Sequence, residues 1–256
     1  MGKGTLLNKA LFSLFMNDPV IQLHQVRKHY GSGEGENSFT LLVPSLSLEM
    51  GSVNVIHGAS GCGKSTLMDI LGLISPPSSG EFYLSLKDGQ NIPVHQAAES
   101  ILSSIRRQFI GYVLQSGGLL GFMSVRDNIA LSMRLAHGRV DLERMLSLAG
   151  PDQLNIEDCL HKKPGQLSLG QRQRAAIARA LAHNPDIVIA DEPTGAVDPE
   201  RARQIKHLLL SRARESGVTT LVVTHDDTLF QKEEIDHLFT FRPLEGGYGT
   251  ELVQLH

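Results

Sequence analysis

The stretch Gly58-Ala59-Ser60-Gly61-Cys62-Gly63-Lys64-Ser65-Thr66 fits the pattern G-x-x-x-x-G-K-[ST]. In that pattern glycines let the backbone bend and approach closely, so that amide N–H groups surround phosphate oxygens at a helix end carrying about half a positive charge. Lys64 would reach the β and γ phosphates of a nucleotide, and the Ser65 hydroxyl would supply an oxygen to Mg²⁺, a hard cation that prefers oxygen ligands. Thr66 follows as an α-phosphate contact, with the backbone of Ala59, Ser60 and Cys62 completing the loop. The Cys62 thiol lies near the helix N-terminus, where thiol pKa values tend to fall, but a small residue tolerated in a tight loop is the simpler reading.

A phosphate loop serves many reactions, so the acidic partner decides the chemistry. Ile187-Val188-Ile189-Ala190-Asp191-Glu192 carries four apolar residues through a core and delivers Asp191 at the strand end, placed to hold Mg²⁺ through water. Glu192 then faces the γ phosphate as the candidate general base, a role worth about 10² to 10⁴ in rate.

These groups need a frame. Val53 to Ile56 precedes the loop as a strand, and Leu67 to Ile74 follows it as an apolar helix. Val53 to Ile56, Ile187 to Ala190 and Val218 to Val223 are short runs rich in β-branched residues, which suit strands covered on both faces of a parallel sheet. Phe39, Leu41 and Val43, then Leu46 and Leu48, alternate with other residues, as do Phe82, Leu84 and Leu86 ahead of the turn Lys87-Asp88-Gly89. That alternation predicts half-buried antiparallel strands. Ser124 caps a helix three residues before Asp127, with Val125, Ile129 and Met133 on one side and Gly138 as its stop. Leu142, Met145, Leu146 and Ala149 before Gly150 predict a second.

The expected fold is therefore α/β, with a parallel core sheet, an N-terminal antiparallel β subdomain and a helical subdomain at about residues 116–180. One domain is expected over 19–256, preceded by an extension, 1–18. In that extension Lys3 and Lys9 precede Leu11-Phe12-Ser13-Leu14-Phe15-Met16, but the apolar block is short and Asn17-Asp18-Pro19 lacks a small-residue cleavage pattern. Either Leu7, Leu11, Leu14 and Phe15 share one helix face, suited to a membrane surface or to docking, or the segment is plain disorder. At 256 residues, 41% hydrophobic and 20% charged, the composition is that of a globular chain. A net charge of -3 gives no general pull toward nucleic acid, so none is expected as a partner. Two cysteines are too few for a disulfide framework. No apolar run approaches the roughly 20 residues of a membrane-spanning helix, so a soluble chain is expected.

Further motifs appear in a fixed order: His29-Tyr30-Gly31, Tyr112-Val113-Leu114-Gln115, Leu167-Ser168-Leu169-Gly170-Gln171, Gly195-Ala196-Val197-Asp198 and Thr224-His225-Asp226. With the phosphate loop and the acidic strand they resemble, from about residue 20 to 240, the nucleotide-binding subunits of ABC transporters, which are P-loop NTPases. The resemblance implies that Tyr30 stacks on adenine and that Gln115 touches Mg²⁺ or the attacking water beside the helical insertion. It implies that His225 bonds the γ phosphate. Ser168, Gly170 and Gln171 would face ATP held by a second copy of the chain, and Asp198 would tie the two sites together. The cofactors implied are ATP and Mg²⁺, and the partners are a second copy and a transmembrane permease subunit, at the cytoplasmic face of the membrane. Leu169 departs from the glycine usual at the third signature position.

Ala190-Asp191-Glu192-Pro193-Thr194-Gly195 and Leu221-Val222-Val223-Thr224-His225-Asp226 look most like the branch serving macrolide export, lipoprotein release and cell division. The apolar groups of Ser116-Gly117-Gly118-Leu119-Leu120-Gly121-Phe122-Met123 would either line a groove for a permease helix or lie buried in the helical insertion. The competing readings are a non-transport ABC ATPase of DNA repair or translation and a regulatory subunit with impaired hydrolysis. One cassette, two cysteines and no sustained heptads speak against the first, and Lys64, Glu192 and His225 against the second.

Overall fold

The computed structural model describes residues 19–31, 38–87, 89–245 and 248–255. The expected extension 1–18 and its apolar helix face lie outside the described residues, as does Asp88 of the expected turn. Among the described residues the strands are β1 (Pro19–Tyr30), β2 (Phe39–Glu49), β3 (Val53–His57), β4 (Ser79–Ser85), β5 (Asn91–Pro93), β6 (Ile110–Val113), β7 (Ile187–Asp191), β8 (Thr219–Thr224), β9 (His237–Pro243) and β10 (Gly249–Leu255). The helices are α1 (Lys64–Leu71), α2 (Glu99–Phe109), α3 (Val125–His137), α4 (Leu142–Ala149), α5 (Leu169–Ala182) and α6 (Pro199–Ser216).

All ten strands form one sheet in the order β5-β4-β1-β2-β10-β9-β3-β8-β7-β6. The first four are antiparallel neighbours, and the five from β9 to β6 are parallel ones. The β-branched runs account for the parallel half. Successive side chains of a strand point to opposite faces, and here both faces are covered. Val53, Val55, Val188, Ala190 and Val222 enter one hydrophobic cluster with α3, α4 and α5, while Ile56, Ile187, Ile189, Leu221 and Val223 enter a second with α1 and the antiparallel half.

Strand β10 joins the two halves, parallel to β2 on one side and antiparallel to β9 on the other. Its entry depends on Gly249. A Cβ added there would lie 2.1 Å from the Thr40 carbonyl oxygen, so the main chains meet at a distance only glycine allows.

One expectation is corrected. The helix after the phosphate loop stops at Leu71 rather than Ile74: the Gly72 amide bonds back to Met68 O at 2.7 Å, Leu73 turns to φ 58°, and Ile74 is exposed. In α4 the buried face is Met145, Leu148 and Ala149, which packs on α5, and Leu142 and Leu146 are exposed. Both sets have helical spacing, so periodicity alone does not distinguish them.

Candidate functional site

Adjacent strands β3, β8 and β7 end level with one another: His57 pairs with Thr224, and Asp191 with Val223. The phosphate loop, Asp191-Glu192 and Thr224-His225 therefore emerge side by side at the carboxyl edge of a parallel sheet, where ligands of such sheets bind.

The loop leaves β3 and turns into α1 through Gly63, whose φ of 100° suits glycine. Gly63 offers no side-chain cap, which leaves the first-turn N–H groups of α1 free for an anion. Lys64 Nζ arches back over the loop, donating to the carbonyl oxygens of Gly58 at 2.6 Å and Ala59 at 2.8 Å. Ala59, Ser60, Gly61 and Ser65 are exposed, and Cys62, Lys64 and Thr66 are half-buried. Support from beneath comes from elements the motif does not contain. The Phe241 ring lies against Gly58, the Phe39 ring against Gly63, and Thr250 Oγ1 donates to the Cys62 carbonyl at 2.7 Å.

Glu192 is the most tightly held group of the site. It is buried, with backbone φ at +46°, a left-handed conformation that costs a non-glycine residue on the order of 1–3 kcal/mol and collects at functional positions. Oε1 accepts from the His225 backbone N–H at 2.9 Å and from His225 Nδ1 at 2.7 Å, and Oε2 accepts from the Thr224 hydroxyl at 3.1 Å. Its amide donates to Val223 O at 2.8 Å, and its carbonyl accepts from the buried Gln173 of α5. The His225 side chain is 74% exposed, and its hydrogen bond to Glu192 raises its pKa above the ordinary value of 6.5. Burial pushes the Asp191 carboxyl up, Glu192 adds to that, and Lys64 opposes it.

The other sequence-predicted residues lie around this core. Gln115 is exposed two residues beyond β6, the neighbour of β7. Tyr30 ends β1 opposite Phe39, with Lys28 Nζ 5.4 Å from its ring centroid. Ser168 caps α5: its Oγ accepts from Gln171 N at 3.2 Å while Gln171 Oε1 accepts from Ser168 N at 2.9 Å. A Cβ on Gly170 would lie 3.0 Å from Ala196 O, so this cluster packs on the loop after β7. Asp198 caps α6, accepting from Arg201 N at 3.0 Å, and that bond holds its carboxyl below the usual range. Leu169 is exposed at the first position of α5.

Sequence reasoning missed Gln173, Thr250, Asn128 and Arg179, and gave no role to Thr224. Asn128 is buried in the first turn of α3 and bonds both the N–H and the carbonyl of Leu120 as well as Ser124 O. It thereby presents Phe122, 75% exposed, while Leu119 packs inward. Arg179 of α5 donates to the carbonyls of Gly117 and Gly118. Helix α5 thus grips both the loop after Gln115 and the exit from β7.

Oxygen donors dominate the site: the Ser65 hydroxyl, the Asp191 carboxylate and the Gln115 amide. Among the described residues no group of three or more His, Cys, Asp and Glu side chains is placed to hold a metal ion. This donor set suits Mg²⁺, which takes few protein ligands and shares the rest with phosphate and water.

A model of the ABC transporter family matches residues 42–195. A macrolide export ATP-binding/permease protein, MacB 1 of Aeromonas hydrophila, is 35% identical over 219 residues, 86% of this chain and 33% of its own length. The ABC transporter ATP-binding protein MJ0796 of Methanocaldococcus jannaschii is 38% identical over 212 residues, 81% of this chain and 87% of its own. The chain thus spans about a third of the macrolide-export relative and most of the archaeal one. A solved dimeric structure of the ATP-binding cassette MJ0796 in a post-hydrolysis state, bound to ADP and Pi, superposes with a TM-score of 0.74 at 33% identity, covering 86% of this chain and 93% of that one.

Proposed function

The chain belongs to the ABC transporter family of ATP-binding cassettes, and on that premise we propose that it is the ATPase subunit powering a membrane transporter or mechanotransmission complex through ATP-driven closure of a dimer. The observation that carries the reading is the hold of Thr224 and His225 on the Glu192 carboxylate, beside Asp191 and the phosphate loop.

In this reading Tyr30 stacks on adenine, the amides of Gly58 to Thr66 with Lys64 bind the phosphates, and Ser65, Gln115 and, through water, Asp191 hold Mg²⁺. Bound Mg²⁺ neutralises charge on the phosphate oxygens. Glu192 takes the proton of the attacking water, and His225 steadies both that carboxylate and the γ phosphate. Ser168, Gly170 and Gln171 of a second copy close over the nucleotide, with Asp198 linking the two sites. Residues 19–256 act as one cassette, with 116–180 as its helical subdomain and 1–18 as an extension.

Among the described residues no helix is long and apolar enough to cross a membrane. A transmembrane permease subunit is the proposed partner, and the cytoplasmic membrane face the proposed location. The macrolide-export relatives favour the branch that transmits shape changes across the membrane.

The test is ATP hydrolysis by the purified chain. Wild type is expected to turn over, and Glu192→Gln to lose at least about 10²-fold while still binding ATP and dimerising in its presence. A wild-type chain that binds ATP without hydrolysing it would favour a regulatory subunit.

A further inference from the structure

Resting on the nucleotide-site reading, we propose that Thr250, on β10, is a positioning residue for ATP: its hydroxyl sets the direction of the Gly63 N–H in the phosphate loop. The Thr250 hydroxyl donates to the Cys62 carbonyl at 2.7 Å. Cys62 C=O and Gly63 N–H belong to one peptide group, which is planar and trans, so the two point in opposite directions. A carbonyl held toward β10 aims the Gly63 amide away from β10, within a loop whose Ala59, Ser60, Gly61 and Ser65 are exposed. The loop's glycines give its peptides freedom to rotate, and an amide that must bind phosphate gains from being oriented beforehand.

Thr250 is itself fixed. Its main chain pairs with Leu41 on β2 and Pro243 on β9, and the Gly63 backbone packs against its side chain: a Cβ there would lie 3.3 Å from Thr250 Oγ1. Phe39 and Phe241, on the same neighbouring strands, lie against Gly63 and Gly58 of the loop. The strand that joins the two halves of the sheet therefore also carries the group that orients the loop.

The experiment compares Thr250→Val, which keeps the shape and removes the hydroxyl, with Thr250→Ser, which keeps the hydroxyl and removes the methyl. Loss of one hydrogen bond is expected to raise KM for ATP about fivefold in Thr250→Val with kcat changed less than about twofold, and Thr250→Ser is expected to stay near wild type. The Gly63 amide resonance should move in Thr250→Val without nucleotide and keep its position in Thr250→Ser. Thr250→Ala should raise KM as Val does, and supplies the reading if the Val chain does not fold. A role in packing alone gives the reverse order, Val silent and Ser harmful, and overturns the proposal. Wild type that binds ATP with Thr250→Val and Thr250→Ala unchanged also overturns it and leaves the site reading intact. Failure of wild type to bind ATP overturns both.

Discussion

Glu192 and His225 are joined twice: both the backbone N–H and Nδ1 of His225 reach the same carboxylate oxygen, Oε1, at 2.9 and 2.7 Å. The bond from Nδ1 fixes which ring nitrogen is left to face a ligand, since a histidine donating through one nitrogen presents the other. The pair has a pH signature. Because Glu192 raises the His225 pKa, the imidazolium persists above 6.5 in the folded chain. Its stabilising effect is present below 6.5 and is lost as pH rises through the raised pKa. In an NMR titration of the imidazole the wild-type midpoint should lie above 6.5, and in Glu192→Gln it should fall back toward that value. Identical midpoints would dissolve the pair.

Arg179 is partly buried, and burial lowers its pKa while its guanidinium satisfies the carbonyls of Gly117 and Gly118. Arg179→Met leaves those carbonyls without their donor and should reduce the free energy of unfolding by about 2–4 kcal/mol. Arg179→Lys should recover only part, since an ammonium lacks the planar fork. Urea unfolding of the three chains decides it.

His183 ends α5 inside the protein, and burial pushes its imidazole down to about 4, with His137 and Arg144 adding to the effect and the backbone of Ile110 and Arg179 opposing it. Below 6.5 the unfolded chain takes up a proton that the folded chain refuses until about pH 4. Stability should therefore fall across that window by about 3 kcal/mol from this group. His183→Gln should lose correspondingly less between pH 7 and 4, and parallel stability curves would exclude the effect.

Leu169 is more than half exposed at the start of α5, where the expected partner is ATP held by another copy. Leu169→Gly is expected to change ATPase rate by less than about tenfold, under 1.4 kcal/mol. A rise from nearly zero to full activity would mean that the native signature is degenerate.

Phe122 stands outward on a loop braced by Asn128. Phe122→Asp should sharply reduce co-purification of a permease while stability stays within about 0.5 kcal/mol of wild type. Undiminished association would remove this loop from the interface.

The parallel half of the fold was legible because Val53 to Ile56, Ile187 to Ala190 and Val218 to Val223 are buried on both faces and are accordingly rich in β-branched residues. The phosphate loop and the acidic strand were legible for a related reason: their chemistry admits few residue types at fixed spacing. Gln173 and Asn128 were not, because a polar residue on a helix reads as a solvated one until its partners are seen. Glu192 O and Leu120 are those partners, and tertiary packing alone brings them. Thr224 was named in the Thr224-His225-Asp226 motif but given no role, because a threonine following a β-branched run resembles one more strand former. Strand β10 was missed altogether. Gly249 to Leu255 is short, and its partner Thr40 lies roughly two hundred residues earlier, beyond any local pattern.

That distance sets an order of assembly. During synthesis the antiparallel strands and the β3-β8-β7-β6 strands can each pair among themselves, but their ladders are not linked into one sheet until residues 249–255 emerge and insert. The Cys62 carbonyl has no Thr250 to hold it before then. A nascent chain thus gains its finished phosphate loop only once β10 is in place, and deleting that strand should cost both the seam of the sheet and the grip on ATP.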